Sequence, residues 1–179
     1  MVYTSLTFYF AAFYFAFVYL QLIQQNGMWL PKAVHQPPLW LGLVASGSVI
    51  LAGIVYFWGQ WSGLYRKNFG VLRLALWVAF VLGVISLIFH VYAIHNHPGF
   101  ANLQLGAYVS VFTGLEGVYT VLLFFSDLVL LGLAIRAQRG LFNVNGIAID
   151  AFGEYWGWLA AIALANFGAL WLQPFFHSA

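Results

Sequence analysis

The sequence predicts an all-α integral membrane bundle of five transmembrane helices, with residues 1–179 forming one domain. Three observations predict it. Of the 179 residues, 64% are hydrophobic and only 6% are charged, whereas a soluble domain carries about a quarter charged residues. The apolar residues fall into five runs, each near or above the ~20 residues that cross a hydrocarbon core as a helix. Between the runs lie clusters of Gly, Pro, Asn and Gln, the chemistry of turns. The composition also excludes other classes. A net charge of +2 from six scattered Lys and Arg argues against nucleic acid as a partner. The absence of cysteine rules out disulfides, thiolate metal sites and covalent haem attachment.

The first span covers about Thr4–Ile23. What precedes it lacks the basic stretch and small-residue cleavage site of a signal peptide, so it is read as a retained helix. Its aromatics, Phe8, Tyr9, Phe10, Phe13, Tyr14, Phe15, Phe17 and Tyr19, occur all round the helix, which points to bulky packing and not to a cofactor-stacking face. Gln24-Gln25-Asn26-Gly27, Pro31 and Pro37-Pro38 separate it from the second span, Leu39–Trp58. There Gly42, Ala45, Ser46, Ala52 and Gly53 lie along one side and permit close helix approach. Arg66-Lys67-Asn68 precedes the third span, Val71–Ile94, and His95-Asn96-His97-Pro98-Gly99 follows it. The fourth, Gly106–Ile135, is about 45 Å long as a helix at ~1.5 Å per residue, enough to cross with tilt. The fifth, Ala151–Leu172, carries Gly153, Gly157, Ala161, Ala165 and Ala169 every fourth residue. Small residues at that spacing form a groove for another helix, within the chain or on a partner. Trp29, Trp40, Trp58, Trp61, Trp156, Trp158 and Trp171 fall near span ends, the place of an interfacial aromatic belt.

Five spans put the N-terminus on the same side as Arg66, Lys67, Arg73, Arg136 and Arg139, with Lys32 alone on the other. Cationic loops stay inside, so the N-terminus is expected inside and the C-terminus outside.

The fourth span holds both acids buried in apolar sequence. Glu116 and Asp127 are eleven residues apart, which at ~100° per residue returns them to nearly one helix face. Thr113 and Thr120 lie close to that face. Ionisable groups are expensive in a bilayer and mark proton or ion routes when they occur, so the face should turn towards protein. The structural alternative is that each acid is neutral, or hydrogen-bonds Thr113, Tyr119, Thr120 or a neighbouring helix. Of the five histidines, His90 alone lies well inside a span, leaving no intramembrane pair to hold haem from both faces. His95 and His97 could offer two imidazoles to a copper or zinc ion, with His35 or His177 completing the set. No acid on that side would orient them, so solvated loop histidines are the plainer expectation. No nucleophile sits beside a base and no phosphate loop occurs. No catalytic, cofactor-binding or metal residue is assigned, and the chain is not read as an enzyme on its own.

The segments nevertheless have a familiar order. An aromatic first span is followed by Pro37-Pro38-Leu39 and the small-residue run Ala45-Ser46-Gly47. The third span runs from Phe69-Gly70 to Leu82-Gly83, and the fourth contains Gly114-Leu115-Glu116-Gly117-Val118-Tyr119. Tyr155-Trp156 opens the last. From about Phe8 to Phe175 the chain resembles subunit III of haem-copper cytochrome oxidases, in the shorter five-helix form. The fourth-span motif lines up with the family's Gly-Phe-His-Gly-Leu-His, so that its two histidines fall on Glu116 and Tyr119. The family's His after Tyr-Trp falls on Gly157 and its nearby Asp on Ala160. Its second-span acid falls at about Gly59, and its third-span Gln and Glu fall on His90 and Ala93.

The resemblance implies a helical bundle beside the catalytic subunit I of a respiratory oxidase, together with other oxidase subunits. It implies structural phospholipid between helices, no redox cofactor in this chain, and haem and copper in partner subunits. The five-helix form points to a prokaryotic cell (inner) membrane. Two alternatives stand beside this one. A related five-helix branch contains accessory membrane proteins of nitric oxide reductases. A small proton-coupled carrier would instead use Glu116, with His90 as its outer relay at a depth several ångströms away.

Overall fold

A computed structural model describes residues 2–23, 29, 34, 36–97, 106–141 and 146–172. Five α-helices follow one another: α1 (Val2–Ile23), α2 (Leu39–Leu64), α3 (Phe69–Asn96), α4 (Ala107–Gln138) and α5 (Ile147–Asn166). A π-helical segment, Phe167–Leu172, continues α5, and no strand occurs among the described residues. All five helices are long and apolar enough to cross a membrane, the last counted through Leu172. The protein is therefore an integral membrane protein of five spans. The helices begin and end within a few residues of the expected spans, except that α2 runs six residues past Trp58, to Leu64, and α5 begins four before Ala151, at Ile147. Both extensions carry Gln or Asp among apolar residues, which hydropathy alone trims.

The ends of the helices follow local chemistry. Asn68 caps α3, its side chain accepting from the Val71 N–H at 3.3 Å. Lys67, in the tight turn before it, adopts a left-handed φ of 54°, uncommon without glycine. After α4, Gly140 takes φ 73°. Its N–H donates to the Ala137 carbonyl and the Leu141 N–H reaches back to Arg136 O, the paired closure that only a residue tolerant of positive φ completes cheaply.

The packing is uneven. Helices α2 and α3 form the tightest pair, α4 lies against α3, and α5 lies against α2. Glycines bring α2 and α3 together: a Cβ at Gly63 would fall 2.8 Å from Leu72 Cδ2, and one at Gly59 would collide with the Ala75 methyl. Helix α1 lies outside this core, on α4 and α5. Only 11% of its apolar window is buried, against 44% for α2 and α4. Its aromatics divide accordingly. Phe10 and Phe17 are wholly buried, while Phe8 and Phe15 stand exposed; Phe13 fills the hollow over Gly114 of α4.

The tryptophan belt is corrected in part. Trp40, Trp58 and Trp61 are about half exposed, but Trp156 and Trp171 are completely enclosed. Trp156 donates to the Val49 carbonyl of α2 at 3.4 Å. The indole N–H of a tryptophan near a span end can equally be satisfied by a neighbouring helix, and span-end position does not separate the two.

Candidate functional site

The polar centre of the bundle is built on the buried face of α4. Glu116 is fully enclosed and both of its oxygens are engaged. Oε2 lies 2.7 Å from His90 Nδ1 of α3, with one proton between them whichever atom carries it. Oε1 accepts from the Trp171 indole N–H at 3.3 Å. One carboxyl thus joins α3, α4 and the segment that closes α5. The His90 ring leans on Tyr119, one turn along α4, with centroids 5.0 Å apart. The Tyr119 hydroxyl points to the Leu159 carbonyl of α5 at 3.4 Å.

Trp171 reaches this point through the π-helical winding of Phe167–Leu172. A π turn holds more residues than an α turn, so the side chains rotate progressively from where α-helical spacing would put them. The indole then packs against Gly42 of α2, where a Cβ would collide with its ring atoms Cδ2, Cε3 and Cγ. Close by, the Tyr14 hydroxyl of α1 donates to Asn166 Oδ1 at 2.5 Å, tying the peripheral helix to α5.

The eleven-residue spacing on α4 places Asp127 on the same buried face as expected. It has a different setting. Its carboxyl rests against Gly83 of α3, where a Cβ would be 3.0 Å from Cγ and closer still to Oδ1. Neither oxygen has a hydrogen-bond partner. The hydroxyls nearby on α4 are committed elsewhere. Thr120 donates to the Glu116 carbonyl at 2.6 Å, and Ser126 donates to the Leu122 carbonyl at 2.5 Å while lying 3.1 Å from the Tyr155 hydroxyl.

The His90 and Glu116 side chains touch, because α3 and α4 pack closely enough for the two side chains to span the several ångströms of depth that counting residues suggests. Trp171, Tyr14 and Asn166 were not legible as parts of this cluster, since nothing in the sequence announces the π winding. Ser86, also buried, donates to the Ala45 carbonyl at 2.7 Å and so pins α3 to α2.

The small-residue stripe of α5 is divided. Gly153 is buried under Gln60 and Tyr56 of α2, and Gly157 faces Phe57; Ala161 and Ala165 are exposed. The expected groove is half used within the chain. On α2, Gly42 and Ser46 are buried, the first beneath Trp171. Ser46 lines a shallow apolar depression with Leu43, Gly47, Ile50, Leu164 and Phe167. His95 is exposed and His97 partly so at the end of α3. Among the described residues no group of three His, Cys, Asp or Glu side chains converges as metal ligands would; His35 and His177 lie outside the described residues.

Fold and site together define a five-span membrane protein whose helices are fastened by buried polar contacts. A scan against protein-family models finds no match for the chain, and a comparison with curated proteins finds no relative.

Proposed function

We propose that this chain is a non-catalytic, subunit III-like component of a respiratory haem-copper oxidase. In that role it stabilises the catalytic subunit and holds phospholipid, while haem and copper reside in the partners. The observation that carries the reading is the double engagement of Glu116 by His90 and Trp171. The most conspicuous acid in the membrane interior is used to fasten three helices, as a scaffold requires. The sequence resemblance over about Phe8 to Phe175 supports the same reading and supplies the partner. The exposed half of the α5 stripe, Ala161 and Ala165, offers a place where a partner helix approaches closely. Positive charge at the Arg66–Arg73 and Arg136–Arg139 ends supports an N-terminus on the inside, and the resemblance to the five-helix form supports a prokaryotic cell membrane. The test is affinity purification of the chain from its native membrane. A haem-bearing complex with the optical spectrum of a terminal oxidase is expected, and a chain recovered alone or with unrelated partners contradicts the reading. Recovery with a nitric oxide reductase would transfer the role to that complex.

The 2.7 Å contact between Glu116 and His90 favours one second reading, a proton-coupled carrier in which this pair passes the proton. Proton-linked transport in vesicles that is lost in Glu116→Gln supports the carrier, and unchanged transport removes it.

A further inference from the structure

We propose that Asp127 is a second, separate proton-binding site in the membrane interior, holding its own proton as an uncharged carboxyl. The argument does not depend on the oxidase reading. Asp127 is 3% exposed and neither carboxyl oxygen meets a donor. An ionised carboxylate without a donor or counter-ion is costly in such surroundings, and the uncharged acid avoids most of that cost.

The titratable groups on every element around it leave it without a compensating charge. On α3, His90 is committed to Glu116, while Arg73 is exposed ten residues from Gly83. On α4, Glu116 lies eleven residues away, the Tyr119 hydroxyl is directed to the Leu159 carbonyl, and Arg136 is exposed nine residues away. On α5, Glu154 and Asp150 are exposed, Asp150 accepts from Gln60 at 2.7 Å, and the Tyr155 hydroxyl is directed to Ser126.

The geometry also selects the ligand. A hard metal cation needs about six oxygens, and among the described residues no group of three His, Cys, Asp or Glu side chains converges at this carboxyl or elsewhere. A proton satisfies one oxygen and needs no further space.

The chain has four acids in all, and its only aspartates are Asp127 and Asp150, which makes the test direct. The full-length protein in liposomes is labelled with 13C at aspartate side-chain carboxyls and its infrared spectrum recorded at neutral pH. The expected result is a protonated-carboxyl C=O band that shifts with the label, persists in Asp150→Asn and Glu116→Gln, and disappears in Asp127→Asn. Should Asp127→Asn fail to fold, the labelled Asp150→Asn protein isolates Asp127 without altering it. Labelled aspartate that shows carboxylate bands alone in that protein overturns the proposal.

Discussion

Two acids on one face of one helix have opposite surroundings. Glu116 has a partner for each oxygen, drawn from two other helical segments. Asp127, three turns further along, has none and rests against a glycine. The difference shows that a shared helix face settles burial but not role. Role depends on what the facing helix offers at each depth: an imidazole at position 90 and the absence of a side chain at position 83. Glu116 binds helices together, while Asp127 is accommodated.

The largest effect that would break this comparison lies at Glu116. Glu116→Ala leaves His90 Nδ1 and the Trp171 N–H unpartnered in a closed interior, and a loss of about 3 kcal/mol is expected from breaking a buried pair on one side. Thermal unfolding in detergent reads it; a variant as stable as the parent contradicts the fastening role.

The corresponding experiment at Asp127 is Gly83→Ala, whose new methyl meets the Asp127 carboxyl. Overpacking of this kind costs about 1–3 kcal/mol. Asp127→Ala in the same chain should restore part of the loss, and losses that merely add show that the two positions do not touch.

Smaller again is Trp171→Phe, which keeps the ring over Gly42 and removes the donor to Glu116, at a cost of about 1 kcal/mol. If the variant is neutral, His90 alone holds the acid. The smallest intrinsic effect belongs to Ala165→Leu, at an exposed position, where the isolated chain should change by no more than about 0.5 kcal/mol. Its recovery with partner subunits should fall. Gly157→Leu is a poorer probe of docking, because its side chain also meets Phe57 within the chain.

Much of the fold was legible in the residues. Apolar run length marks the five spans, and the spacing of Glu116 and Asp127 gives the buried face of α4 without any knowledge of its neighbours. The run Gly42, Ala45, Ser46, Ala52 and Gly53 marks the buried side of α2, and all five are enclosed. Other parts depend on tertiary placement. Helix counting fixes the depth of a backbone atom, but not the reach of Glu116 to His90. The approach of Trp171 depends on π winding, for which Phe167–Leu172 carries no local signature such as proline. The α5 stripe reads as one groove, yet α2 covers its Gly153 end and leaves Ala161 and Ala165 open, because the contact is set by the neighbouring helix and not by the spacing.

The central physical claim is that Glu116 and His90 act as one interhelical contact. A double-mutant cycle with Glu116→Gln and His90→Gln, followed by thermal unfolding of the four proteins in the same detergent, tests it most directly. A coupling energy of about 1 kcal/mol or more is expected for side chains in direct buried contact; losses that sum within about 0.3 kcal/mol would contradict it.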